Sequence, residues 1–565
     1  MASGMWFAVI AYAPHVLVTL VRLSHPFLLG LNTDMRWLLQ TVLVVSYAAY
    51  QLAFHPLRNY PGPLIARLTS AYGAFYVWRR CLHLTSHQLH QRYGSVVRLT
   101  PNRLVFDSAT ALQDIYNNPR VTKGQAYVQL RQGGQGTPNL FNTLDKEIHR
   151  TKRRIIGPVI SESSMRVFEP DMRKKIDTFL LELLKSSRQG EIVNMTPRCE
   201  RLGVDVVGQL AFGYPLNTQV DPTHRVIVEG IKTRSDRSSL YYLWSRLRIL
   251  EPLFNVMEGK HKLDGFYKSV MTMIGARMAL PKDAKHDFYA LASGDIGPGE
   301  PGLISKDLWA EAVFFIAAGG STTSTAMSGI FFYLSRYPGA YDRLASEIRS
   351  TFTSGREIRQ GPTLSSCKYL RAVIDETMRL SPSTLGPAWR EQDPASVAAG
   401  EPFIVDGHVI PPGTQVGVSQ YTLQHNEHYF PEPFEFKPER WMAPGPGEDA
   451  DPLPETAAQR DARMAMRRAF APFSIGDRGC AGKSMAYLEL RLAIARTLWY
   501  FDFETAPGEA GKLGGGWPGS TDGRSRRNEF QLYDSIVVDH SGPNLVFTPR
   551  GDHWKELETQ EDYNM

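Results

Sequence analysis

Cysteine is scarce in this chain, and basic and acidic residues are nearly balanced. Four of the 565 residues are cysteines, and none of them belongs to a CxxC pair. A disulfide framework and a cysteine-based zinc site are therefore not indicated, and free thiols suit a reducing compartment. The net charge of +6 is too small to indicate a nucleic-acid partner, and we expect none.

Long uncharged runs are few, and two of them lie near the N-terminus. For residues 5–21, a cleaved signal peptide is the alternative to a membrane segment. Residues 37–54 carry no charge and are about long enough to cross a membrane, which takes ~17–25 helical residues. Prolines at the next positions then prevent a continuing helix. We predict a membrane anchor with one or two apolar segments, a proline-rich hinge and one large domain, over residues 1–54, 55–63 and 64–565.

The rest of the chain has mostly helical periodicity. Residues 165–184 and 308–334 have the helical spacing of apolar residues, whereas residues 93–106 read as two strands joined by a turn. Strand character returns in residues 401–419, and residues 535–550 read as a closing hairpin. The sequence therefore predicts one mainly α (α+β) domain with small antiparallel sheets behind the anchor.

The segment "FSIGDRGCAG", residues 473–482, sets one cysteine among three glycines. Apolar residues after Cys480 recur at spacings of three and four, so a helix should begin just past it. Backbone N–H groups at a helix start favour a thiolate, and glycines permit a tight backbone around the sulfur. An inert buried cysteine is the alternative interpretation.

This loop resembles the haem-binding loop of the cytochrome P-450 family, Phe-x-x-Gly-x-Arg-x-Cys-x-Gly, at every fixed position. The matching residues are Phe473, Gly476, Arg478, Cys480 and Gly482. The resemblance implies that Cys480 is the axial thiolate ligand of the iron in haem b. It also implies that Phe473 shields the sulfur and that Arg478 pairs with a haem propionate.

Two charged motifs upstream resemble the same family. Glu376 and Arg379 stand at positions i and i+3 of a predicted helix, and the segment "FKPERW" contains Arg440. Taken alone, the first two residues fit a surface ion pair worth ~0.2–0.5 kcal/mol. The resemblance implies instead that Glu376, Arg379 and Arg440 form a structural charge network on the haem side of the core.

An uncharged segment, residues 314–332, is by length a candidate for a further membrane span. Its centre is rich in Gly, Ser and Thr, which argues against a span, and it resembles the long distal helix of the family. The resemblance implies that the Thr322 hydroxyl manages the protonation of dioxygen. Ser321 stands where the family usually has an acid, and a serine hydroxyl relays a proton but supplies no carboxyl group.

Three more basic residues stand where the family places partners of the haem propionates. His149 and Arg153 are separated by four positions in "HRTKRR", and Arg390 belongs to "PAWRE". The resemblance implies that all three contact the propionates. A solvated basic helix face explains His149 and Arg153 nearly as well.

The resemblance, which extends to fungal microsomal members, implies a membrane-bound haem-thiolate monooxygenase. Such an enzyme takes electrons from NADPH through a flavoprotein reductase and inserts one oxygen atom from dioxygen into a hydrophobic small molecule. The implied location is the endoplasmic reticulum membrane, with the catalytic domain facing the cytosol, and the implied substrate is a biosynthetic terpenoid, polyketide or alkaloid. A haem-thiolate isomerase or dehydratase without a reductase, and a haem-based sensor or binding protein, are the alternatives.

Contacts with the substrate and the reductase follow from the same resemblance. The expected substrate segments are the loop before His149 and residues 202–242, 314–322, 383–388 and 535–538. The expected reductase surface consists of basic residues that flank the cysteine loop, namely Arg460, Arg463, Arg467, Arg468 and Lys483. Opposite charge on a partner speeds encounter and is screened by salt.

Overall fold

The structure of the protein, a computed structural model, describes most of the chain after the first 32 residues. The described residues are 33–132, 136–257, 260–281, 284–285, 287–293, 305–442 and 456–561. The first predicted apolar segment, residues 5–21, lies outside them.

Helices form most of the described chain. Those of the first half are α1 (Thr33–Ala49), α2 (Leu64–Leu68), α3 (Ala71–Trp78), α4 (Leu82–Tyr93), α5 (Ala109–Tyr116), α6 (Lys146–Ile156), α7 (Glu162–Arg188), α8 (Met195–Phe212), α9 (Val226–Leu243), α10 (Glu251–Met257), α11 (Lys260–Met278) and α12 (Phe288–Ser293). Those of the second half are α13 (Ser305–Arg336), α14 (Pro338–Thr351), α15 (Pro362–Ser366), α16 (Lys368–Leu380), α17 (Pro394–Ala398), α18 (Gln420–Gln424), α19 (Ala457–Ala469), α20 (Lys483–Tyr500) and α21 (Lys555–Glu561). A π-helical turn, Tyr50–Phe54, continues α1. The short 3-10 helices are Gln125–Leu130, Gly157–Ile160, Ser245–Leu250, Gly355–Glu357, Pro438–Trp441 and Gly508–Lys512.

The strands of the described chain form four small sheets. They are β1 (Val96–Thr100), β2 (Arg103–Phe106), β3 (Val121–Lys123), β4 (Val193–Asn194), β5 (Arg390–Gln392), β6 (Ile404–Val405), β7 (His408–Val409), β8 (Gln415–Val418), β9 (Phe501–Thr505), β10 (Leu532–Tyr533), β11 (Asp539–His540) and β12 (Asn544–Pro549). The sheet orders are β1-β2-β8-β5-β3, β4-β12-β9, β10-β11 and β6-β7. The predicted helical domain with small sheets is confirmed.

The largest sheet is mixed, although the sequence predicted antiparallel sheets. Its strands β2 and β8 run parallel, with Arg103 opposite Gln415, whereas its other pairs are antiparallel. A short turn enforces antiparallel pairing only between strands that follow each other closely. Arg103 and Gln415 are 312 positions apart, so no turn constrains this pair.

The prediction of a closing hairpin over residues 535–550 is wrong. The strand β11 pairs with β10, whereas β12 pairs with β9 and β4. Leu545 and Phe547 of β12 are buried together with Phe501 and Phe503 of β9. Burial of these apolar side chains places β12 in a different sheet from β11.

The helix α13 runs through the core of the domain and is not a membrane span. Every residue from 323 to 334 is buried, and the helix packs against α8, α16 and α20. The helix α13 therefore contacts helices from both the first and the second half of the chain.

The end of the predicted anchor is docked on the domain. Among the described residues one helix, Trp37–Phe54, is long and apolar enough to cross a membrane. Gln51 near its end is buried and accepts a hydrogen bond of 2.8 Å from the buried guanidinium of Arg98. The same guanidinium donates to the carbonyl of Leu57 at 3.4 Å. The predicted hinge, residues 55–63, therefore begins within a segment that is hydrogen-bonded to Arg98 of β1.

Truncation should separate the anchor from this docked segment. Removal of residues 1–49 is expected to release most of the protein from membranes and to preserve stability, because the contacts of Gln51 remain. Removal of residues 1–54 takes a hydrogen-bond partner from the buried Arg98 and should cost about 1–3 kcal/mol of unfolding free energy. Membrane fractionation and denaturant unfolding of both proteins test this, and equal stabilities would contradict the docking role of Gln51.

Candidate active site

The loop that carries Cys480 is held by its own backbone. The N–H of Cys480 donates to the carbonyl of Phe473 at 2.8 Å, and the N–H of Gly479 donates to the carbonyl of Gly476 at 2.9 Å. Gly476 has φ +70°, and a Cβ there would lie 2.2 Å from the carbonyl oxygen of Tyr116. The helix α20 begins three residues after the cysteine with Gly482 as its N-cap. Glycine is therefore required at 476, and the predicted helix start is present.

The Cys480 thiol is accessible but is not acidified by this helix start. Of the four cysteines, all within the described residues, only Cys480 has an exposed side chain. Burial by the surrounding protein raises the pKa of its thiol, and the N–H of Gly482 and the charges of Arg153 and Lys483 offset this only in part. The Cys480 side chain is thus exposed, although the surrounding protein still desolvates its thiol. A bound metal ion would deprotonate the thiol directly.

Four basic side chains lie close to His149, and one of them, Arg153, also lies close to Cys480. The four are Lys123, Arg153, Arg390 and Arg478. Burial, and then the charges of the other four, lowers the pKa of His149 to about 3. Burial and the charges of Arg390 and Arg478 likewise lower the pKa of Lys123 well below its usual value. The site therefore has a strongly positive potential in a poorly solvated place.

The hydrogen bonds of these cations go mostly to neutral acceptors. Arg478 donates to the carbonyls of Thr143 at 2.9 Å and Leu144 at 3.0 Å. Arg390 donates to the hydroxyl of Tyr127 at 3.2 Å, and Arg153 donates to the carbonyl of Gly479 at 2.9 Å. Carbonyls do not neutralise positive charge, and buried charge is costly without an opposite charge. The donor set fits a ligand that carries carboxylates and lies beside the Cys480 sulfur, as haem with its two propionates does.

Lys123 is a member of this cluster that the sequence motifs did not identify. Its ammonium donates to the carbonyls of Leu140, at 3.2 Å, and Phe141. The carboxylate of Glu311 on α13 fixes this loop, because it accepts from the N–H of Leu140 at 2.9 Å and from Lys152 at 2.9 Å. A single lysine in the three-residue strand β3 has no sequence pattern of its own, so only the fold reveals its place.

The small residues of α13 serve helix packing. A Cβ on Gly320 would lie 2.9 Å from a methyl group of Val204, and one on Gly319 would lie 2.8 Å from a methyl group of Val207. Both valines belong to α8, so the glycines let the two helices approach closely. The next residues, Ser321 and Thr322, are only half-buried. The Thr322 hydroxyl donates to the carbonyl of Ala318 at 2.7 Å.

The segments expected to contact the substrate converge on α13. The ring of Phe141, in the loop before α6, stacks on that of Phe314 with centroids 5.4 Å apart. Ser383 donates to the carbonyl of Thr322 at 2.8 Å. Ser535, in the segment before β11, donates to the hydroxyl of Ser235 on α9 at 2.8 Å. The structure thus brings segments that are far apart in sequence around one face of α13.

The network of Glu376, Arg379 and Arg440 is closed and buried. The two Glu376 oxygens accept from Arg379 at 2.9 Å each, and one of them accepts from Arg440 at 3.0 Å. Trp441 donates to the other oxygen at 2.9 Å. Burial alone would raise the pKa of Glu376, but the two guanidinium groups outweigh it and lower that pKa. Removing one partner of such a buried pair costs ~3–5 kcal/mol, so loss of any one of these side chains should destabilise the fold.

A basic groove lies beside the cysteine loop. Its lining includes Phe473 of the loop and one acidic residue, Asp375. The basic lining residues are Lys368, Arg371, Arg467, Lys483 and Arg491. Two of the five residues predicted for the reductase surface, Arg467 and Lys483, therefore line this groove, and the other three lie outside its lining.

Comparisons with known proteins identify the family of the chain. A family model for Cytochrome P-450 matches residues 68–515. The chain is 33% identical over 510 residues to Cytochrome P-450 monooxygenase AKT7 of Alternaria alternata, covering 88% of this chain and 94% of that protein. It is 32% identical over 526 residues to Cytochrome P-450 monooxygenase atnE of Emericella nidulans, covering 90% and 96%. The crystal structure of the cytochrome P-450DA heme domain matches with a TM-score of 0.66 and 17% identity, over 87% of this chain and 98% of that chain, and shows the same fold.

The family model spans most of the chain, and the relatives match it over nearly their whole length. The predicted family, fold and reaction class are thereby confirmed. The family implies a haem-thiolate cofactor, which the accessible thiol and the cations around it fit. The chain belongs to the cytochrome P-450 family and is a monooxygenase of that family.

Proposed function

We propose that this monooxygenase holds haem b at Cys480 and inserts one oxygen atom into a hydrophobic small molecule at a membrane surface. The observation that carries the proposal is the accessible Cys480 thiol beside buried cations whose hydrogen bonds go mostly to neutral acceptors. Cys480 would bind the iron, with the backbone of Phe473 and the Gly476 turn orienting it. Arg478, Arg390, His149 and Arg153 would hold the propionates, together with Lys123.

The overall reaction sets what the chain's own residues must do. Haem, when bound, supplies the activation of dioxygen and the transfer of one oxygen atom. Substrate R–H, dioxygen, NADPH and one proton give R–OH, water and NADP⁺, so the site must deliver protons as well as electrons. The Thr322 hydroxyl would position these protons. The Thr322 O–H donates its proton in a hydrogen bond to the carbonyl of Ala318, so the lone pairs of its oxygen stay free to accept a hydrogen bond.

The substrate is proposed to be apolar and to come from secondary metabolism, as a terpenoid, polyketide or alkaloid. Phe141 and Phe314 form one apolar surface near α13. Apolar lining with few polar groups favours a hydrophobic ligand.

The protein is proposed to reside in the endoplasmic reticulum membrane with its domain in the cytosol. The apolar helix Trp37–Phe54 supports an anchor. Large apolar side chains are also exposed beyond this helix, on α2 and α3, in the 3-10 helix Ser245–Leu250 and on α10. They are Leu64, Ile65, Phe75, Trp78, Ile249, Leu253 and Val256. Exposed apolar groups of this size favour a membrane surface.

Thr322→Ala is expected to preserve haem binding and to lower product formed per NADPH consumed. Loss of a positioned proton transfer reduces rate by ~10²–10⁴-fold, and the electrons then appear as hydrogen peroxide. Thr322→Ser, which keeps the hydroxyl, is the matched control and should stay coupled. Product, NADPH and peroxide are measured with purified reductase, and unchanged coupling in Thr322→Ala would remove Thr322 from the mechanism.

Product without NADPH would favour an isomerase or dehydratase, and spectral shifts without product would favour a sensor.

The flavoprotein reductase is proposed to dock on the basic groove beside the cysteine loop. Five basic residues and one acidic residue among its lining give the groove a positive potential, which suits an acidic partner. The groove includes Phe473, whose carbonyl is bonded to Cys480, so docking there shortens the electron path to the sulfur.

Arg467→Glu combined with Lys368→Glu is expected to slow reductase-supported turnover about tenfold and to weaken its salt dependence. Peroxide-driven turnover should change little, because it bypasses the reductase. Arg166→Glu with Lys174→Glu makes the same charge change at exposed positions of α7, outside the groove, and serves as the matched control. An equal loss in both assays would show that Arg467 and Lys368 serve folding or haem binding.

A further inference from the structure

A small cavity with a mixed lining lies beside Ser321. Its polar lining consists of Ser321 and Thr325 of α13, Glu200 of α8, Lys232 and Ser235 of α9 and His540 of β11, and its apolar lining consists of Val228, Ile231, Val537 and Val538. Its volume is about 20 Å³, and ~10–15 Å³ suffices for one water molecule when polar partners surround it. The cavity therefore suits a single water between the Ser321 hydroxyl and the Glu200 carboxylate.

The crossing of α8 and α13 holds Glu200 in this place. A Cβ on Gly203 would lie 2.3 Å from the carbonyl oxygen of Gly320, so the two backbones are in contact. Glu200 precedes Gly203 by one helical turn and so shares its face of α8. Ser321 follows Gly320 directly. Any side chain at 203 would push the helices apart and move Glu200 away from Ser321.

The outer side of Glu200 is connected to solvent. Its carboxylate pairs with the ammonium of Lys232 at 3.0 Å, and the same ammonium pairs with Asp539 at 3.1 Å. The Lys232 side chain is 37% exposed, whereas that of Glu200 is 11% exposed. Lys232 thus connects Glu200 to the solvent-exposed surface.

Glu200 is the group of the cavity that is best suited to exchange a proton. Burial raises the pKa of Glu200 in spite of the nearby Lys232. Burial lowers the pKa of His540 to about 4, so its ring is neutral near pH 7. Burial opposes the charge of Lys232, but Glu200 and Asp539 outweigh it and raise the Lys232 pKa, so that group stays protonated.

We propose that Glu200 delivers protons through the cavity water and the Ser321 hydroxyl to the Thr322 side of α13. The carboxyl group that residue 321 lacks is then supplied by the neighbouring helix α8. Glu200 acts through the cavity water and the Ser321 hydroxyl. The inference rests on the proposed role of Thr322. A purely structural ion pair that ties α8 to α9 is the competing explanation.

Glu200→Gln removes the acid and nearly preserves its shape, and Asp539→Asn is its matched control. Both substitutions take a carboxylate from Lys232, but Asp539 does not line the cavity. Product per NADPH is expected to fall at least about tenfold in Glu200→Gln, with a larger rate ratio between H₂O and D₂O. Asp539→Asn should retain coupling. Peroxide-driven turnover should be unchanged in both, because hydrogen peroxide brings its own two protons.

A carboxyl group returned at position 321 should rescue the defect. Ser321→Asp in the Glu200→Gln background is expected to restore most of the lost coupling. Unchanged coupling in Glu200→Gln would overturn the proposal. Equal losses in Glu200→Gln and Asp539→Asn, or a loss that Ser321→Asp does not rescue, would also overturn it in favour of a structural pair. Failure of the wild-type protein to form product with NADPH and dioxygen would instead refute the proposed function.

A second readout does not depend on activity. A crystal structure of the full-length protein with its haem is expected to contain one ordered water bonded to Ser321 and Glu200. That water should persist in Glu200→Gln, because an amide keeps the hydrogen bond but has no acidic proton. A dry cavity, or a Glu200 side chain turned away from Ser321, would overturn the proposal.

Discussion

Buried charge is the constraint on which the architecture of this domain depends, and the chain meets it in two opposite ways. At Glu376 the charges close on one another: one carboxylate receives two guanidinium groups, an indole N–H and a backbone N–H. Around Cys480 the basic side chains together lower the pKa of His149, and they donate mostly to carbonyls and a phenol. The ion-pair network of Glu376 stabilises the fold, whereas the basic side chains around Cys480 suit a ligand that carries carboxylates.

The helix α13 connects the basic side chains around Cys480 to the residues that are proposed to deliver protons. Near its N-terminal end Glu311 fixes the loop whose carbonyls hold Lys123 and Arg478. At its centre, Gly319 and Gly320 let α8 approach until the two helices are in close contact. The half-buried Ser321 and Thr322 are the next two residues of α13. One helix thus positions a cation cluster, a hydroxyl pair and, through its neighbour, the carboxylate of Glu200. A shift of α13 would disturb all three together.

Sequence reasoning identified structural features that are encoded in short contiguous patterns. The loop around Cys480, the i, i+3 pair of Glu376 and Arg379, and the apolar period of α13 are all local. It failed where the relevant contact joins distant segments. Lys123 and Glu200 belong to no motif, because their neighbours lie on other elements. The acidification expected for Cys480 from a helix start was wrong, because burial by surrounding segments outweighs the nearby N–H groups. The docking of Gln51 on Arg98 was missed for the same reason.

The central claim is that Cys480 alone supplies the thiolate that binds haem iron. Each of the four cysteines is replaced by serine in turn, haem content is measured, and the carbon monoxide difference spectrum of the reduced protein is recorded. The account predicts that the thiolate-type Soret band is lost only in Cys480→Ser, since the other three cysteines are not exposed. A normal thiolate band from Cys480→Ser would contradict it.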